Sequence, residues 1–362
     1  MSAPSLFDPI KLGAIEAPNR IVMAPLTRGR AGPGFVPGDL AREHYRQRAS
    51  AGLIISEATG VSQEGLGWPS TPGIWTEAQV EGWKSVTGAV HEAGGRIIVQ
   101  LWHMGRLVHP LFNDGKAPVS ASRTQAEGRA YTPAGRQDYA ESRPLRLDEI
   151  PRLIADYASA AENAKRAGFD GVQLHGANGY LIDQFLRGST NLRDDDYGGP
   201  VENRIRLLRE VTEALISVWG AGRVSVRLSP NGDSQGVDDS APESLFPAAA
   251  AALDALGIAF LELREPGPDG TFGATEVPKQ SPAIRRAFRG PLILNSDYDV
   301  PAAEADIARG VADAVSFGRP FIGNPDLVER IRSGAGWAPD NPKTWYSPGA
   351  EGYTDYPALA EA

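Results

Sequence analysis

The sequence predicts an α/β fold: a (β/α)8 TIM barrel carried as one domain over residues 1–362, with an N-terminal hairpin cap and a long insertion after the third strand. Three observations lead to it. Eight short apolar runs alternate with longer segments of helical period. Several runs are rich in Val and Ile, which suits parallel strands buried on both faces. Polar residues follow most of the runs directly, and in a barrel the C-terminal strand ends converge on one face. An open doubly wound sheet gives the same rhythm with fewer units.

In chain order, Ile10–Pro18 reads as a hairpin placed to plug the barrel's N-terminal end. The strand runs are Ile21–Ala24, Leu53–Ser56, Ile97–Leu101, Gly171–Leu174, Val224–Leu228, Phe260–Leu263, Leu292–Leu294 and Ala314–Phe317. A helix is expected from an N-cap at Asp148, with Pro151 in its first turn, where a missing N–H costs nothing. Its buried stripe is Leu153, Ile154, Tyr157, Ala161 and Ala164, and Gly168 marks its stop. Another helix follows Gly199 and Pro200, with Ile205, Leu208, Val211 and Leu215 on one stripe. Residues 104–147 form the long insertion, and long loops of this kind tend to carry function.

Composition narrows the function classes. The 41 Gly and 29 Pro imply many turns, and a 41% hydrophobic share supports a sizeable core. A net charge of −9 argues against nucleic acid, whose binding needs a clustered basic surface. The absence of cysteine excludes disulfides, thiol catalysis and cysteine metal sites. Five scattered histidines and no H-E-x-x-H suggest no metal. No apolar run approaches the roughly 20 residues of a membrane helix. Met1, Ser2, Ala3 and Pro4 do not form a basic region followed by an apolar stretch, as an export signal would. A cytoplasmic monomer or small homo-oligomer is expected, with no nucleic-acid or membrane partner.

The strand ends deliver the candidate chemistry. The first gives Pro25 and Thr27, the second Glu57 and Ala58, and the third Gln100, Trp102 and His103. The fourth gives His175, Asn178 and Tyr180 on a corner punctuated by Gly176 and Gly179. The fifth gives Arg227, the seventh Asn295 and Ser296, and the eighth Gly318 and Arg319. Arg227 stands inside a strand, where an unpaired buried charge is very costly. It either forms an internal salt bridge to a carboxylate such as Glu262 or faces an anionic cofactor or intermediate. Gln100 reads equally as a satisfied core amide. Gly318 and Arg319, in the usual phosphate loops of such a barrel, point to phosphate. No G-x-G-x-x-G occurs, so a Rossmann nicotinamide domain is not supported.

Five stretches together carry a resemblance. They are NRIVMAPLT at Asn19–Thr27, QLWHMGR at Gln100–Arg106, HGANGYLIDQFL at His175–Leu186, YGGPVENR at Tyr197–Arg204 and FGRPF at Phe317–Phe321. With LFDPI at Leu6–Ile10 and AEGYTDYP at Ala350–Pro357, the chain resembles the Old Yellow Enzymes, flavin-dependent ene-reductases, over nearly its whole length.

The resemblance implies non-covalent FMN, with NADPH or NADH as reductant and an activated alkene as substrate: an enone, enal, maleimide or nitroalkene. It implies that Thr27 bonds the flavin C4 carbonyl, that Pro25, Ala58 and Gln100 line the ring, and that Arg227 faces the N1–C2 carbonyl edge. Gly318, Arg319, Asn295 and Ser296 would hold the phosphate. His175 and Asn178 would bind the substrate's carbonyl or nitro oxygen, and Tyr180 would supply a proton. Tyr346 matches a pocket-lining tyrosine, and Trp68 stands at the pocket mouth where many relatives have tyrosine. Asp297 would repel phosphate unless turned away. An electron carrier would need no proton donor such as Tyr180, and a flavin-free isomerase or aldolase would leave Thr27, Gln100 and Arg227 unexplained.

Overall fold

Alternation along the strands decides which side chains face inward. The computed structural model describes residues 3–271 and 273–359. Met1 and Ser2, read above for an export signal, lie outside the described residues. Eight parallel strands close into a barrel: β1 (Ile21–Met23), β2 (Leu53–Gly60), β3 (Ile97–Trp102), β4 (Val172–Gly176), β5 (Val224–Leu228), β6 (Phe260–Arg264), β7 (Leu292–Asn295) and β8 (Ala314–Phe317). Consecutive strands are neighbours, and β8 pairs with β1 to close the ring.

Each strand is followed by a helix: α1 (Asp39–Arg46), α2 (Glu77–Glu92), α3 (Ile150–Arg166), α4 (Arg206–Trp219), α5 (Pro242–Leu256), α6 (Ser281–Ala287), α7 (Val300–Ala308) and α8 (Leu327–Ser333). Among the described residues no helix is long and apolar enough to cross a membrane.

One residue set faces the helices. Val99, Leu101, Leu261, Leu263, Leu292, Val315 and Phe317 join the stripes of α2 to α8 in the main core. The alternate set faces inward. At the barrel bottom it is apolar, with Val22, Leu53, Ile55, Ile98, Phe260, Ile293 and Ala314 packed together. The hairpin Ile10–Leu12 with Ile15–Ala17 closes this end, burying Leu12, Ile15 and Ala17 against the same cluster. Gly13, at φ +63°, is required at its turn, because a Cβ would stand 2.4 Å from the Gly222 carbonyl oxygen. Two residues further up several strands the inward positions become polar, as Gln100 follows Ile98, Glu262 follows Phe260, Asn295 follows Ile293 and Ser316 follows Ala314, and these build the site.

Several element boundaries differ from the sequence reading. β2 runs on to Gly60 instead of stopping at Ser56, through a register irregularity between Ile55 and Ala58. β4 extends to Gly176, so His175 is a strand residue and the corner begins after it. Asp148 is not the cap of α3: the helix begins at Ile150 after Glu149, and Asp148 instead accepts a hydrogen bond from Arg146 Nε at 3.0 Å. Glu149 is held by Arg143 at 2.7 Å, which fixes the chain entering the helix. The segment after Pro200 forms two helices, Val201–Arg204 and α4. The 104–147 insertion contains an antiparallel hairpin, Arg129–Thr132 with Gly135–Asp138. It also holds a short parallel pair, Val119–Ser120 with Arg143–Pro144.

Candidate active site

A cavity of about 1020 Å³ opens at the C-terminal face of the barrel. Its walls include Pro25, Thr27, Ala58, Gln100, His175, Asn178, Tyr180, Arg227, Asn295, Ser296, Gly318, Arg319 and Tyr346. Trp68, expected at the pocket mouth, does not line it. The indole packs behind Tyr346 (ring centroids 5.5 Å apart) and against Tyr131 (5.2 Å), so it reaches the cavity only through its neighbours.

The floor is a chain of buried amides and charges with a fixed polarity. Glu262 on β6 accepts from Ser316 Oγ at 2.7 Å and from Gln173 Nε2 at 2.9 Å. Gln173 is thereby oriented, and its Oε1 accepts from Gln100 Nε2 at 2.7 Å. The Gln100 carbonyl oxygen is left as an acceptor toward the cavity. Arg227 is 5% exposed and pairs in register with Glu262. Its Nε is 3.8 Å from Glu262, beyond hydrogen-bond reach, while its Nη2 donates to Asn295 Oδ1 at 2.8 Å. Both contacts weighed from sequence are therefore present: a carboxylate beside the guanidinium and an open cavity in front of it. Arg227 Nε is buried with no hydrogen-bond partner among the described residues.

Asn295 is a bridge. Its Nδ2 donates to the Ser316 carbonyl at 2.8 Å while Oδ1 holds Arg227, so its side chain is already committed. Ser296 and Asp297 follow with φ of 112° and 51°, a left-handed turn that glycine would adopt at less strain. Asp297 is not turned away: it accepts from Arg319 Nη2 at 2.9 Å and bonds Thr271. Gly318 lines the cavity, and a Cβ there would occupy cradle space against Leu26 at 3.4 Å.

The polar corner follows β4. The Ala177 N–H donates to His175 Nδ1 at 3.3 Å, so a neutral imidazole carries its proton on Nε2. Burial, with Arg227 nearby, holds the imidazole well below its usual range and keeps it neutral. Asn178, at φ +58°, is fixed at its backbone by Ser229 Oγ (2.8 Å) and Gln235 Nε2 (2.8 Å). Gly179, at φ +76°, passes so close to Ser234 that a Cβ would lie 2.2 Å from its carbonyl oxygen. Asp183 receives the Gly179 N–H at 2.9 Å and pairs with buried Arg187 at 2.8 Å. The Tyr180 ring stands edge-on to Trp102 (5.0 Å) and His175 (4.9 Å). Burial pushes its phenol well above the ordinary tyrosine value, opposed by a hydrogen bond with Gln235.

Sequence reading missed several wall residues, chiefly Arg264, Gln235, Arg28 and Trp345. Arg264 had a readable signal. It follows Phe260 and Glu262 at period two, so it points inward and stands at the sixth strand's end, from which no candidate was drawn. Gln235 lies on a loop whose approach only tertiary structure creates.

The donor set suits a flavin mononucleotide. It offers an amide acceptor, an arginine with an orphaned N–H, a glycine cradle and a second arginine. Comparison with known proteins points the same way. Residues 5–336 match the NADH:flavin oxidoreductase / NADH oxidase family. An old yellow enzyme homologue from Zymomonas mobilis is 60% identical, superposes with a TM-score of 0.97, and is matched over 98% of this chain and 100% of its own. Morphinone reductase, solved in complex with tetrahydroNAD, is 47% identical with a TM-score of 0.93 over 98% of each chain. The 12-oxophytodienoate reductase 7 of Oryza sativa subsp. japonica is 41% identical across 98% of this chain and 95% of that protein.

Proposed function

The chain belongs to the NADH:flavin oxidoreductase / NADH oxidase family, that of Old Yellow Enzyme, and on that premise we propose that it reduces the C=C bond of enones, enals, maleimides or nitroalkenes. It is an FMN-dependent oxidoreductase that draws on a nicotinamide, NADPH or NADH. FMN, held by the residues named below, would supply two-electron redox chemistry between nicotinamide and alkene. One observation carries the reading. A neutral Nε2–H donor, a carboxamide and a protonated phenol share one wall of the cavity that also holds the flavin-type donor set.

Each residue then has a task. Gln100, Arg227 and Thr27 hold the cofactor's polar edges, with Pro25 and Ala58 against the ring. Arg227 is a fixed cation where reduction gathers negative charge, and such preorganised charge needs no reorganisation during reaction. Gly318, Arg319 and the backbone at Asn295 and Ser296 receive the phosphate. His175 and Asn178 donate to the carbonyl or nitro oxygen of the alkene, withdrawing electrons and leaving its β-carbon electrophilic. Tyr180 gives its proton to the α-carbon. Its raised pKa keeps that proton available throughout the neutral range. Tyr346 borders the substrate, and Trp68 packs behind it.

Tyr180→Phe tests this assignment. Flavin reduction by nicotinamide should stay near the wild-type rate while alkene turnover falls by roughly 10²-fold or more. Stopped-flow measurement of the two half-reactions separates them, and loss mainly in the reductive half would contradict the role.

A further inference from the structure

Arg264 is the cavity residue whose presence the flavin-type set does not explain. It ends β6, is 7% exposed, and lies in the cavity wall. Its Nη1 stands 3.4 Å from Asn178 Oδ1. Gly273, at φ +72°, closes over it so tightly that a Cβ would meet Nη2 at 2.8 Å. The guanidinium is thus confined between that loop and the corner after β4.

Arginine donates and never accepts. The Asn178 atom that faces it must therefore be the carbonyl oxygen, which turns the NH₂ group the other way. Among the described residues no hydrogen bond occupies Asn178 Nδ2, and the residue lines the cavity. The other contacts leave that choice open: Ser229 and Gln235 hold only the backbone of Asn178. A carboxamide free to flip presents its oxygen half the time, and an oxygen facing the substrate carbonyl repels it.

We propose that Arg264 is a positioning residue for alkene reduction, holding the Asn178 carboxamide with Oδ1 in the wall and Nδ2 toward the substrate oxygen. This rests on the assignment of His175 and Asn178 as the donor pair. Burial and neighbouring Arg227 lower the guanidinium's pKa to about 10, so it remains a cation in the working range.

The test is a double-mutant cycle on the FMN-loaded protein, read by p-chlorophenol affinity from its long-wavelength absorption and by alkene kinetics. Arg264→Met keeps the apolar stem and removes the donors. It should weaken phenol binding about tenfold. The alkene KM should rise with it. In an Asn178→Ala background the same substitution should add little, and Arg264→Lys should restore part of the affinity. If Asn178→Ala weakens phenol binding but Arg264→Met does not, or if the two effects simply add, the positioning role is overturned. If Asn178→Ala leaves phenol affinity intact, the donor pair itself is wrong. Arg264→Lys, which keeps the charge, guards against misreading a folding defect, as do the FMN content and melting temperature of each variant.

Discussion

At the scale of single residues, charges are placed where the cavity needs a sign. Arg227 and Glu262 are in register on adjacent strands, yet the carboxylate is already shared by Gln173 and Ser316, which leaves the guanidinium facing the cavity. Asp297 is the opposite case, an acid at the proposed phosphate site holding Arg319 at 2.9 Å. Both groups are one-third exposed, so the pair contributes little to stability and acts mainly by occupying the arginine. Asp297→Asn keeps the side-chain shape and removes the competing charge. FMN should then bind up to about fivefold more tightly in titrations of apoprotein. Weaker binding would mean that the carboxylate serves to aim Arg319.

At the scale of elements, the loop after β1 and the C-terminal segment act as one unit. Arg30 donates to the carbonyls of Trp345 (2.8 Å), Thr344 (2.8 Å), Gly349 (3.0 Å) and Glu351 (3.0 Å), with its guanidinium 4.4 Å from the Tyr353 ring centroid. Arg28 reaches the Gly352 carbonyl at 2.7 Å, and Glu57 on β2 accepts the Arg28 N–H at 3.0 Å. This strap ties Thr27 to the segment bearing Tyr346. Arg30→Met should lower the melting temperature and raise the alkene KM several-fold, with little effect on flavin reduction, because charge-assisted bonds to carbonyls hold the substrate side of the cavity. An unchanged KM would place the strap outside substrate binding. The bonds from Arg28 and Arg30 to the C-terminal segment were not legible beforehand, since they join residues more than 300 positions apart. The eight strands were legible, because each is a short apolar run with its own turn signals. The α3 start was misplaced because Asp148 found a closer partner in Arg146.

At the scale of the whole molecule, three histidines are buried in neutral form. Burial, then nearby arginines, holds His44 and His175 well below the usual range, and burial lowers His103 to about 4. In each case the unfolded chain binds a proton near pH 6.5 that the folded chain refuses. Their stability contribution is complete above pH 6.5 and is lost as pH falls toward the folded values. Glu57 and Asp183, raised by burial, act in the opposite sense, since the folded chain takes up their protons more readily than the unfolded one. Melting temperature measured from pH 7.5 to 5 should fall, and His103→Gln should flatten the fall. A flat wild-type profile would show that these groups are not held neutral.

The sequence by itself determined the barrel, its N-terminal plug and the strand-end residues of the cavity wall, because all three depend on local pattern. Period-two alternation sorts each strand into inward and outward faces, and polar residues gather at the strand ends. Tertiary structure alone decided orientation. Which amide atom Gln100 offers and why Asn178 faces an arginine follow from contacts between residues far apart in the chain. A hydrogen bond has a direction, and direction is fixed only when both partners are in place.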